Sequence, residues 1–112
     1  MNPNETIPQS EGRQLNIMLD MHPGQSVTMV TRSGTEYKIE KREDGVYVSG
    51  SPQHCPEPMK VVGMGAGKTG IGWESWVIKE GQGVVIQFEE MMPDNPTIHK
   101  QIDTSPIKEI RY

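Results

Sequence analysis

Two short runs on either side of a Ser-Gly turn do most to limit what this chain can fold into. From Gln25 to Thr31, Val27 and Met29 alternate with Ser26 and Thr28. After Ser33-Gly34 the alternation resumes from Thr35 to Lys41, with Tyr37 and Ile39 on one face and Glu36, Lys38 and Glu40 on the other. A side-chain period of two belongs to extended backbone. Two such runs around a glycine turn predict an antiparallel hairpin with one dry face and one wet face. Glu43-Asp44-Gly45 then turns the chain into a third strand, Val46 to Ser49, which makes a meander.

The other segments read as short elements between turn signals. Residues 1–9 have the composition of a disordered tail. Residues 10–21 read as one short helix capped by Ser10, with Glu11 in its first turn and Leu15, Met18 and Leu19 on one face; a first strand is the alternative. Pro23-Gly24 stops it. Residues 50–59 form a proline loop, and Lys60 to Met64 a fourth strand. Residues 63–72 hold five glycines in ten positions and read as a flexible or tightly turning loop. Trp76 to Lys79 and Val84 to Phe88, joined by Glu80-Gly81-Gln82-Gly83, predict a second hairpin. Residues 89–96 read as a turn-rich loop, followed by strands at Thr97 to Ile102 and Ile107 to Tyr112.

Turns this frequent suit short strands better than long helices. Gly and Pro number 12 and 9 in the 112 residues, a length that predicts one domain. The expected fold is therefore all-β with at most one short N-terminal helix. It is a single domain over residues 10–112, built as a small, partly open antiparallel barrel of about six or seven short strands, SH3-like or Sm-like in style. Two segments carry the Sm-like comparison. GQSVTMVTRSGTEYKI (Gly24 to Ile39) resembles the opening motif of that family: a bent strand, a turn and a second strand. VIKEGQGVVIQF (Val77 to Phe88) is similar to its closing motif, with Lys79-Glu80-Gly81 where the family has an Arg-Gly step. Residues 50–59 have no counterpart of the family's RNA-contacting Asp and Asn. The resemblance implies a small open barrel and transfers no functional residue.

Charge and cysteine content narrow the function classes. The formal charge is −4, and no run of Lys or Arg exceeds two residues. That disfavours binding to duplex nucleic acid, where phosphate contacts dominate affinity. Cys55 is the one cysteine, so an internal disulfide is impossible and a reducing compartment, the cytoplasm, is expected. The first residues have neither a basic start nor an apolar run, so no signal peptide is expected; no apolar stretch is long enough to span a bilayer.

The reactive motifs fail on spacing. GMGAGKTG (Gly63 to Gly70) falls short of a P-loop, because Val62 stands where its first glycine belongs. His54 and Cys55 are adjacent, with His22 and His99 far off, and no paired ligand spacing suggests a metal. Cys55 with His99 is a conceivable nucleophile and base, without a supporting local signature. Glu89, Glu90 and Asp94 read as a solvated turn. No cofactor is expected. The reading that remains is a non-catalytic protein-interaction or assembly module. Its partner surface is expected at Trp73, Met64, Met91, Met92 and Tyr37, with a homodimer through an edge strand as one form. A nucleic-acid-binding barrel is the alternative, using Arg32, Lys38, Lys41, Arg42 and Lys68 near Tyr37 and Trp73, with Glu36, Glu40, Glu43 and Asp44 set among them. A cysteine-dependent enzyme centred on Cys55 comes third.

Overall fold

The computed structural model describes residues 13–112, so the tail at 1–9 and the Ser10 cap lie outside the described residues. The chain is all-β and antiparallel. Its elements are β1 (Gln14–Asn16), α1 (Ile17–Asp20), β2 (Ser26–Thr31), β3 (Glu36–Arg42), β4 (Gly45–Ser49), β5 (Met59–Lys68), β6 (Gly72–Ser75), β7 (Val77–Lys79), β8 (Val84–Met92), β9 (Asn95–Asp103) and β10 (Ile107–Arg111). The large sheet runs β10-β2-β3-β4-β5-β8-β9, with β6 also paired to β5; β1 and β7 form a separate two-stranded ribbon. The outermost strands β10 and β9 do not pair, so the sheet is open and no closed barrel forms. Sheet and ribbon enclose one core, a β-sandwich-like arrangement.

The N-terminal meander forms as its alternation dictates. Val27 faces Ile39, Met29 faces Tyr37, and Ile39 faces Val48 across the β2-β3-β4 ladders. All five side chains are buried. The core continues with Val61 and Met64 of β5, Ile78 of β7, Val84, Ile86 and Phe88 of β8, and Ile107 and Ile110 of β10. Residues from both ends of the large sheet meet in this one cluster, so the sheet must curl around it.

The expected helix over residues 10–21 shrinks to the single turn α1. Asn16 is its N-cap: Oδ1 accepts from Met18 N and Leu19 N at 3.1 and 3.0 Å, while Asp20 Oδ2 accepts from Asn16 N. The buried residues are Leu15, Ile17 and Met21, and Met18 and Leu19 face outward. Extended pairing of β1 with β7 overrides the helical spacing. Lys41 Nζ donates to the carbonyls of Ile17, Met18 and Met21, spending all three donors on the end of the turn.

Three further expectations fail for identifiable reasons. Val77 to Lys79 and Val84 to Phe88 do not pair with each other: β7 pairs β1, and β8 lies between β5 and β9. The stretch similar to the Sm-like closing motif is therefore not a hairpin. The turn-rich loop at 89–96 is mostly strand, because β8 and β9 extend toward a tight turn at Pro93-Asp94. Pro96 is tolerated because β9 is an edge strand.

The glycine-rich segment is also strand for most of its length. Gly63, Gly65 and Gly67 occupy alternate positions of β5 and share the face turned away from the core, while Met64 and Ala66 point inward. A Cβ on Gly63 would meet Trp73 Cη2 at 3.1 Å, and one on Gly65 would collide with the Glu74 carbonyl. The Trp73 indole thus lies along a trough of glycines. Trp76 then turns the chain from β6 into β7 with φ of 63°, a left-handed conformation unusual for a bulky residue. Two backbone bonds hold it there: Trp76 N donates to Met64 O at 2.6 Å, and Trp76 O accepts from Ile17 N at 2.7 Å.

Gly65→Ala is expected to lower stability by about 1–3 kcal/mol, since backbone rather than a movable side chain occupies the space. A urea midpoint unchanged from wild type would contradict the glycine-trough packing.

Candidate functional site

Cys55 belongs to the core rather than to a reactive centre. The 50–58 loop folds inward so that Cys55 is fully buried. Cys55 N donates to Ser51 O at 2.9 Å, and Gly50 N donates to Cys55 O at 2.8 Å. Gly50 has a φ of 127°, and a Cβ there would strike the Glu36 carbonyl. Lys100 Nζ donates to His54 O at 2.7 Å and ties the loop to β9. Burial raises the Cys55 thiol above its ordinary pKa, outweighing the Ser51 backbone bond and the Lys100 charge. Burial also raises the Tyr37 hydroxyl, with the neighbouring Cys55 adding to it.

The basic residues of the meander are occupied. Lys38 and Arg42 both bind Glu40, at 3.2 and 2.8 Å. These bonds hold the Glu40 carboxyl below its usual range, Arg42 first and Lys38 second. The Arg42 guanidinium also covers the Tyr47 ring at 4.0 Å from its centroid. Lys41 is committed to α1, and Tyr37 is buried. Lys38, Lys41 and Arg42 line one small groove of about 230 Å³, with Glu40 among them, and Tyr37 and Trp73 are not part of its lining.

A groove of about 500 Å³ lies beside β1, α1 and β2. Leu15, Met21 and Val27 are among its apolar walls, with Gln14, Gln25 and Tyr112 among its polar ones. Among the described residues Asp20 is the one carboxylate there, and its Oδ2 is taken by Asn16 N. Neither Cys55 nor any histidine reaches the groove. Among the described residues, no three His, Cys, Asp or Glu side chains gather into a metal-binding group.

The expected partner-binding residues separate. Met64 and Tyr37 are core side chains and cannot present a surface; their inward positions on β5 and β3 follow from the strand alternation. Trp73 is half-buried on its glycine trough. Met91 and Met92 are exposed, at 41% and 37%. They stand on the outer half of the β8-β9 hairpin, where every residue from Glu89 to Ile98 is exposed. Within these ten residues lie Glu89, Glu90 and Asp94, and no Lys or Arg. Ile98, 52% exposed, adds a third large apolar side chain to this arm.

Sequence reasoning missed Ile98 and the arm itself, and set His99 beside Cys55 rather than on the arm. The signal was present as a stretch flanked by strand-like runs, but Pro93 and Pro96 gave it the look of a loop. At the root of the arm, register irregularities on β8 between Gln87 and Met91 bend the ribbon out of regular pairing. Gln87, Gln101, Thr69 and Asp103 form a hydrogen-bonded ladder there: Gln87 Nε2 to Gln101 Oε1 at 3.3 Å, Gln101 Nε2 to Thr69 Oγ1 at 2.8 Å, Thr69 Oγ1 to Asp103 Oδ1 at 2.5 Å. β9 ends the large sheet, so among the described residues no strand covers its outer edge.

No family model, curated protein or solved structure matches this chain. Among the described residues, no helix is long and apolar enough to cross a membrane.

The raised thiol sets an alkaline limit on stability. The native state favours neutral Cys55, so its contribution is complete below the ordinary thiol value of about 8.5 and is lost as pH climbs toward the folded value. Urea midpoints measured from pH 7 to 10 should fall above pH 8.5 in wild type. Cys55→Ala should flatten that part of the curve, and an identical slope in the variant would contradict the assignment.

Proposed function

We propose that the chain is a non-catalytic assembly module that joins a second copy of itself edge to edge along β9. The observation that carries this reading is the open edge of β9 combined with an arm exposed over its whole outer half. An uncovered strand edge presents a row of backbone donors and acceptors suited to another strand, interrupted here at Pro96, which has no N–H. Met91, Met92 and Ile98 supply adaptable apolar contacts beside it.

The β9 sequence suits its own antiparallel copy. Pairing centred on Ile98 keeps the two core faces on the same side and sets Ile98 against Ile98. The edge is isologous, so the assembly closes as a dimer instead of growing into a fibre. The single buried thiol, Cys55, favours a reducing compartment, and the cytoplasm is the proposed location.

Sedimentation velocity across a dilution series tests this directly. Wild type should dissociate from dimer to monomer on dilution. Ile98→Lys, which sets two ammonium groups opposite each other at the centre, should raise the dimer dissociation constant at least tenfold. A wild type that stays monomeric at the highest soluble concentration, or an Ile98→Lys variant that dimerises as wild type does, would overturn the proposal.

A further inference from the structure

We propose that the root of the β8-β9 arm holds a site for a soft monovalent cation, with Cu(I) as its biological form, bound by His99 Nε2 and the Met91 thioether. Met91 and His99 are directly opposed residues of the β8-β9 ladder, with register irregularities on either side of Met91, and their Cβ atoms are near neighbours. His99 Nδ1 lies 3.3 Å from the Glu89 carbonyl oxygen. A carbonyl can only accept, so Nδ1 is the donor in this contact, and in the neutral ring Nε2 is the atom left to coordinate. An imidazole oriented through its other nitrogen by a backbone carbonyl is the arrangement that metal-binding histidines use.

The donor pair selects the ion. A thioether is neutral and polarisable and binds Cu(I) in preference to hard cations, while imidazole suits copper well. A d10 monovalent ion accepts two donors in a near-linear arrangement, so the pair is sufficient without a third ligand. Glu89 and Glu90, next to Met91 in sequence, add negative charge where the cation arrives. Neither ligand belongs to the core, so their substitution leaves the fold intact. The site does not depend on the arm pairing with a second copy.

Ag(I) is a redox-inert probe for it. The full chain, labelled with 13C at the methyl groups of its eight methionines, is titrated with silver nitrate and followed by methyl NMR. The Met91 methyl should shift first and saturate at one equivalent, while Zn(II) should leave it in place. Met91→Leu and His99→Gln should each weaken binding at least tenfold, and Met92→Leu should not. The Met91 shift should persist in Cys55→Ala, which separates it from silver capture by the thiol. Any of three results would sink the proposal: exposed methionines shifting together without saturation, an unaffected His99→Gln variant, or a Zn(II) response at Met91.

Discussion

The missing side chains on the outer face of β5 are the constraint on which the rest of the structure depends. One edge of this strand is shared, by β4 near its start and by β6 near its end, and β8 takes the other. The β6 strand can fold back against the same strand only if the Trp73 indole finds room across it, and glycine at 63, 65 and 67 supplies that room. Only then does the chain arrive at Trp76 in position to turn inward. The turn carries β7 to β1 and brings Val77 and Ile78 into buried positions. A Cβ at position 65 would therefore act beyond its own contact, because the ribbon of β1 and β7 hangs from this corner.

The ribbon reaches back to the large sheet through side chains as much as through backbone. Glu80 bridges in parallel to Ile107, and Gly81 N donates to the Ile107 carbonyl at 2.8 Å. Three residues further along, Glu80 Oε2 accepts from Ile110 N at 3.0 Å and Arg13 Nη1 donates to Ile110 O at 3.1 Å. A carboxylate and a guanidinium thus satisfy the polar groups that a continuing ladder would have satisfied. Arg13 also lies 5.6 Å from the Tyr112 ring centroid, which draws the C-terminal residue to the same place. The seam leaves Glu80 Oε1 buried with no hydrogen-bond partner among the described residues. Such an atom carries a desolvation cost of about 1–3 kcal/mol, which makes this junction the least satisfied point of the interior.

Local pattern made the meander legible and hid the parts that depend on distant partners. The strands from Ser26 to Ser49 alternate cleanly, turn at glycine and pair with their sequence neighbours, so period and turn chemistry were enough. Gly63 to Gly72 misled because glycine weakens a strand in isolation, and what stabilises it here is Trp73 lying over it. The alternation of glycine with Met64 and Ala66 was visible, but a trough reads as strand only once its occupant is known. Residues 10–21 misled for a related reason. Leu15, Met18 and Leu19 have helical spacing, yet the energy lies in β1 pairing with a strand more than sixty residues away. In the expected surface patch, Tyr37 shares the dry face of the hairpin with Ile39 and Met64 alternates with glycine, so both are inward by period, whereas Met91 and Met92 sit beside the carboxylates Glu89 and Glu90, which resist burial.

The core explains most of the molecule and stops short of the arm. Phe88 is the last β8 side chain in the hydrophobic cluster, and on β9 Ile102 packs against it while Ile98 does not. From Glu89 to Ile98 the chain is held in extended form by its own ladder and one turn, with no third layer. Ordering a residue costs about 1–2 kcal/mol in backbone entropy, and a two-stranded ribbon in water is marginal without a face to pack on. Stability of the domain gives no reason for these ten residues to be there. A shorter turn after Phe88 would close the same core. The arm is therefore the segment whose presence demands an explanation outside the fold, and its acidic, methionine-bearing surface is where that explanation has to be sought.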